Sequence, residues 1–154
     1  MLDIGTPAPA FDLPTDGAAN VALAALKGRK VVVYFYPKDD TSGCTKEAIE
    51  FTAIKGDFAA ADTVIVGVSK DSVAAHAKFR AKYDLGVELG SDPAGAVVEA
   101  YGAWVEKSMY GRKYMGIDRS TFLIDRDGKI AALWRKVKVP GHAAAVLKAA
   151  QELA

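Results

Sequence analysis

The chain has 154 residues, 51% apolar and 25% charged, with 20 basic against 19 acidic side chains and a net charge of +1. That length suits one domain spanning 1–154 with a real hydrophobic core, and the even charge balance leaves no footprint for nucleic acid or a membrane surface. A single cysteine excludes an internal disulfide and a thiolate metal cluster, and no stretch is long and apolar enough to span a bilayer.

The N-terminal segment lacks a basic region followed by an apolar run, so no secretory signal is visible and a cytoplasmic setting is expected. Prolines break the chain through Phe11-Asp-Leu-Pro14, and Asp16-Gly17 is a turn signal, which predicts a short N-terminal hairpin. Val31-Val-Val-Tyr-Phe-Tyr36 is a continuous β-branched and aromatic run, the pattern of a strand buried on both faces, and Pro37 ends it. From about Ser42 to Ala60 apolar residues recur at three and four, through Ala48, Phe51 and Phe58, which predicts a helix. Thr63–Ser69 reads as a second buried strand. Asp71 or Ser72 caps a following helix whose apolar stripe is Val73, Ala77 and Phe79 to Ala81.

Ser91-Asp92-Pro93 reads as a cap with proline at the first helical position, opening a short helix to about Tyr101. Ser120–Asp125 and Lys129–Trp134, joined by Arg126-Asp127-Gly128, form a β-hairpin, and an Ala-rich helix runs from about His142 to the end. The order is hairpin, βαβα, short helix, ββα. It predicts an α/β thioredoxin-like fold with an N-terminal hairpin extension and a central mixed sheet flanked by helices. In such sheets the chemistry gathers beyond the carboxyl ends of the central strands, where Cys44 falls.

Cys44 sits where an apolar strand gives way to a helix start. A thiol is nucleophilic as thiolate, and unpaired N–H groups at a helix N-terminus favour that charge. Ionisation alone is a small gain. A free thiol is about 3% ionised at pH 7, so complete ionisation raises the reactive fraction about 30-fold, or ~2 kcal/mol. A fast reaction needs donors aimed at the bond that breaks.

The run Phe35-Tyr-Pro37-Lys-Asp-Asp-Thr41-Ser-Gly-Cys44-Thr-Lys-Glu47-Ala resembles the active-site signature of peroxiredoxins, and its wording is similar to the bacterioferritin-comigratory (PrxQ) subfamily. The likeness continues through Val66-Gly-Val-Ser69, Ser91-Asp-Pro93 and Tyr110 to Asp125 with its Arg119-Ser-Thr-Phe, and it covers almost the whole chain. The resemblance implies thiol-dependent reduction of hydrogen peroxide and organic hydroperoxides, with no metal or organic cofactor. It implies Cys44 as the peroxidatic cysteine, Thr41 donating to or orienting the peroxide, Pro37 shielding the thiol from water, and Arg119 holding thiolate and substrate. Thr41 also fits as an N-cap. Glu47 fits two roles, complementing the helix N-terminus or orienting an arginine.

Many relatives carry a resolving cysteine five residues after the first; here that position is Ile49, and Ser42 stands where proline is usual. Helical positions i and i+5 lie about 8–9 Å apart at Cα, beyond disulfide range, so relatives using that pair must unwind the helix. Without it, the helix is expected to stay folded through turnover. An external thiol, from thioredoxin, glutaredoxin or glutathione, would reduce the Cys44 sulfenic acid, and overoxidation under excess peroxide is the cost. The chain is expected to act as a monomer or weak homodimer.

Two other functions share some of these features. A redox sensor or interaction protein would use the same first oxidation with little turnover. A disulfide reductase would need a Cys-x-x-Cys pair, but Thr41 and Glu47 occupy the positions three before and three after Cys44. His76 and His142 raise a cysteine–histidine hydrolase, but neither lies in a recognisable motif. Tyr110, Tyr114, Met115 and Trp104 either line an apolar rim for organic peroxides or pack under a loop.

Overall fold

The computed structural model describes residues 2–154. Its centre is β3 (Lys30–Phe35), buried along its whole length. Val32 and Tyr34 face one side and Val31, Val33 and Phe35 the other, so the apolar run is consumed on both faces. β4 (Thr63–Ser69) pairs with it in parallel and β5 (Glu88–Ser91) extends that edge, while β8 (Ser120–Ile124) pairs with it antiparallel, followed by β9 (Ile130–Trp134). The sheet order is β5-β4-β3-β8-β9. It is the mixed sheet expected from the sequence.

One face of the sheet is covered by α1 (Ser42–Ala53), α2 (Lys55–Ala60), α3 (Val73–Tyr83) and α5 (His142–Glu152) through Phe51, Phe58, Phe79, Val146 and Ala150. Full burial of each such aromatic or branched side chain is worth about 1.5–3 kcal/mol. The opposite face is covered by the N-terminal hairpin, β1 (Asp12–Leu13) with β2 (Val21–Ala22), and by the short α4 (Ala96–Ala100), through Phe11, Leu13, Val21 and Val98. A 3-10 turn, Leu23–Leu26, follows β2. Lys30 opens β3 with its ammonium buried against the Ala150 and Leu153 carbonyls at 2.7 and 2.9 Å, a cation at the C-terminus of α5.

The structure departs from the sequence reading in several places. The helix expected over 42–60 breaks at Ile54, where φ −115°, ψ 18° leaves the helical region and α2 restarts. Ser72 alone caps α3, accepting from the Ala75 N–H at 3.1 Å, and the buried residues of that helix are His76 and Phe79 rather than Val73 or Ala77. Pro93 does not open a helix: α4 begins at Ala96 behind Gly95, and Asp92 reaches forward to accept from the Val98 N–H at 2.9 Å. β5 and a second hairpin, β6 (Trp104–Met109) with β7 (Arg112–Ile117), were not foreseen. Tyr110 and Gly111 form the turn, both at positive φ, the requirement of a two-residue hairpin loop that matches strand twist. Tyr110 is 98% exposed, and Tyr114 and Met115 are also exposed, so these three do not pack under a loop.

Candidate active site

Register brings the site together. β3 ends with Phe35 opposite Ser120 of β8, so Arg119, one residue ahead of β8, stands beside the strand end that leads into α1. The sulfur of Cys44 and the guanidinium of Arg119, 75 residues apart in sequence, meet at 3.3 Å between Sγ and Nη2. Arg119 Nη1 donates to Glu47 Oε1 at 2.7 Å. Glu47 is therefore the residue that orients the arginine; it lies beyond the first turn of α1. Gly43 makes the approach feasible, because a Cβ there would sit 3.2 Å from Arg119 Nη2. Cys44 itself is only 2% exposed.

Thr41 occupies the N-cap position of α1 with extended backbone, but its side chain makes no cap bond. Its hydroxyl instead donates to the Lys38 carbonyl at 2.8 Å. A hydroxyl has one proton, so with that proton committed Thr41 has only lone pairs left to offer. The first helical bond runs from the Thr45 N–H to the Thr41 carbonyl, 2.8 Å. The N–H groups of Gly43 and Cys44 come before it and have no carbonyl of their own helix to bind. Pro37 is exposed in the strand-to-helix loop, together with Thr41.

The electrostatics are uneven. Burial drives the Glu47 carboxyl up to about 7 despite the opposing pull of Arg119. Its Oε2 has no hydrogen-bond partner among the described residues. Burial works against the charge on Arg119, but Glu47 and Cys44 outweigh it and hold the guanidinium above its ordinary value. His142 bonds Thr121 Oγ1 through Nε2 at 2.7 Å, and burial, helped by Arg119, lowers it to about 4. His76 bonds Asp39 and the Gly90 carbonyl. The sulfur's charged partner is thus an arginine, and no cysteine–histidine pair forms among these contacts.

Among the described residues no group of three or more His, Cys, Asp or Glu side chains is placed to hold a metal ion, and no helix is long and apolar enough to cross a membrane.

Residues 4–133 match the AhpC/TSA family. The chain belongs to that family. Peroxiredoxin Bcp of Bacillus subtilis is 44% identical over 152 residues, covering 99% of this chain and 97% of the relative. Peroxiredoxin Bcp of Xanthomonas campestris is 47% identical, covering 93% and 91%. A solved structure of the Xanthomonas campestris bacterioferritin comigratory protein, reported for its alkyl peroxide reduction activity, superimposes with a TM-score of 0.90 at 42% identity, covering 97% of this chain and 98% of that one. The protein is a peroxiredoxin of the bacterioferritin-comigratory branch with one cysteine.

Sequence reasoning missed two parts of this peroxiredoxin's site. Gly43 carries no chemistry and signals only by lacking a Cβ. The Asp39–His76 contact joins α3 to the loop before Cys44, and its one sequence signal is a histidine in step with Phe79 on the buried face of a helix.

Proposed function

We propose that this peroxiredoxin is a one-cysteine thiol peroxidase acting on hydrogen peroxide and organic hydroperoxides, with Cys44, Arg119, Thr41 and Pro37 forming its site. The Cys44 thiolate attacks one peroxide oxygen. The S–O bond forms from a sulfur lone pair as the O–O bond breaks, and the leaving oxygen takes the electron pair and a proton to depart as water or alcohol. The resulting sulfenic acid condenses with an external thiol, releasing water and giving a mixed disulfide. A second thiol then frees Cys44.

The observation that carries this reading is Arg119 Nη2 at 3.3 Å from Cys44 Sγ, held by its second bond to Glu47. A fixed guanidinium donates in several directions at once, to the sulfur and to oxygens arriving beside it. With the first-turn N–H groups it lines up donors where charge develops as the O–O bond lengthens. Thr41 receives the hydroperoxide O–H, and Pro37 shields the sulfur.

The reductant is proposed to be thioredoxin, glutaredoxin or glutathione, since Ile49 occupies the position five residues after Cys44 and the chain has no second thiol. Residues 1–154 are proposed to act as one domain, cytoplasmic, as a monomer or weak homodimer. The test is the second-order rate of the reduced protein with hydrogen peroxide at pH 7, with the product trapped and weighed. A rate far above that of a free thiol with one added oxygen is expected. A free-thiol rate, or no turnover with any of the three reductants, would hand the site to redox sensing.

A further inference from the structure

His76 is fully buried in α3, and both of its ring nitrogens face acceptors. Nε2 lies 3.0 Å from the Gly90 carbonyl oxygen of β5, which can only accept, so Nε2 carries a proton. Nδ1 lies 2.6 Å from Asp39 Oδ2, and Asp39 Oδ1 already accepts the Tyr36 hydroxyl at 2.6 Å. A second proton is needed between Nδ1 and Oδ2. Without it, two lone pairs face each other at 2.6 Å in a site shielded from water.

Asp39 stands in the loop between β3 and α1. Its N–H donates to Asp71 Oδ2 at 2.9 Å, and the next residue, Asp40, is held at positive φ by Tyr83 and Lys82 at 2.6 and 2.8 Å. α3 therefore grips two consecutive loop residues, one through a buried histidine and one through the half-buried Tyr83 and the exposed Lys82. The gripped loop also carries the Lys38 carbonyl that fixes the Thr41 hydroxyl.

We propose that His76 is a positioning residue for the peroxide step: doubly protonated, it ties Asp39 to the Gly90 carbonyl and so holds Thr41 and the first turn of α1 in register with Arg119. The proposal rests on the peroxidase reading and adds to it a buried ion pair outside the reacting atoms. The charged groups around the ring favour the proton. Asp39 faces it from the loop with Tyr36, the residue after β3, behind, Asp71 comes from the segment before α3, and Asp16 comes from the N-terminal hairpin, where Arg80 of α3 engages it. Burial lowers the ring's affinity for the proton, and the Asp39 contact reverses this, leaving His76 above its ordinary value.

The sign follows. The clamp is complete below the ordinary histidine range and is lost as pH rises through the raised value in the folded protein. The rate constant for hydrogen peroxide should therefore fall as pH rises through that value, the fall belonging to His76.

The chain has two histidines, and His142 serves as the neutral reference. Nitrogen-15 histidine spectra of the whole protein between about pH 5 and 10, recorded beside the peroxide rate, test the proposal. His76 should carry two ring protons at pH 7 and lose one at the pH where the rate falls, by about tenfold. Asp39→Asn gives the conservative comparison. Its amide can donate to a neutral Nδ1 while its carbonyl still accepts from Tyr36, so every contact survives without the ionic proton. That variant should lose the alkaline fall, its rate staying level where that of the wild type declines. A His76 that is neutral at pH 7, or that titrates with no change in rate, overturns the proposal, as does an alkaline fall persisting in Asp39→Asn. Should that variant not fold, the wild-type spectra and rates decide alone. No peroxide reduction at any pH would sink the peroxidase reading, and the positioning role with it, whatever His76 does in the spectra.

Discussion

Two buried carboxylates bracket Cys44 in the chain, Asp39 five residues before it and Glu47 three after, and their surroundings differ. Asp39 has both oxygens occupied, one by Tyr36 and one by His76. Glu47 gives one oxygen to Arg119 and leaves the other bare among the described residues. A buried charge with both oxygens hydrogen-bonded serves geometry, whereas one with an unpartnered oxygen is easily neutralised. Hence burial can push Glu47 up to about 7 even with an arginine at 2.7 Å. The loop before the helix is clamped; the arginine beside the sulfur is held by a group whose charge is conditional near neutral pH.

The largest expected effect comes from the responsive side. Arg119→Lys keeps the charge but loses the fork that reaches Cys44 and Glu47 together, and the peroxide step should slow by about 10²–10³-fold in stopped-flow measurements. A nearly normal rate would remove Arg119 from the mechanism.

Glu47→Gln sharpens the comparison through stability. The folded carboxyl at about 7 holds its proton more tightly than the reference value of 4.5. The native state therefore keeps its full advantage below about pH 4.5 and loses up to about 3 kcal/mol as pH rises through 7. Denaturant unfolding at about pH 5 and 8 should show the wild type losing more stability than the glutamine variant over that interval. Equal losses would mean that Glu47 stays ionised throughout.

Gly43→Ala is a milder perturbation of the same guanidinium. The new Cβ, 3.2 Å from Nη2, obliges Arg119 to move by a few tenths of an ångström. The peroxide rate should fall about tenfold, while helix propensity leaves stability unchanged or raised by up to about 1 kcal/mol. An unaltered rate would show that the arginine has room to adjust. Tyr110→Ser, at the tip of the second hairpin and far more exposed than either carboxylate, should shift unfolding free energy by less than about 0.5 kcal/mol. A larger loss would reveal a packing role that its exposure does not suggest.

Much of the fold was legible because its elements carry strong local signals. The β3 run reads as a doubly buried strand, Asp71 or Ser72 as a cap, and Arg126-Asp127-Gly128 as a hairpin turn; the strand, the cap at Ser72 and the turn each form. Local signals misled where a tertiary contact competed. Asp92 and Pro93 look like a helix start, but Asp92 donates its N–H to Ser69 at 2.9 Å and sends its carboxylate to Val98, so the helix begins later. The second hairpin was overlooked because its strands are largely exposed and lack a clean apolar alternation; only Tyr110-Gly111 marked it.

By itself the sequence determined the family, the thioredoxin-like element order, the location of the thiol at a strand-to-helix junction and the absence of a second cysteine. These are local patterns, readable within a few residues or along one motif. Only the tertiary structure decided how closely Arg119 meets the sulfur, that Glu47 orients it, that the Thr41 proton is already given to the Lys38 carbonyl, and that His76 reaches Asp39 of the loop from another helix. Those facts depend on sheet register and on directional contacts across as many as 75 residues. Hydrophobic periodicity says which face is buried, and not which polar atoms will meet there.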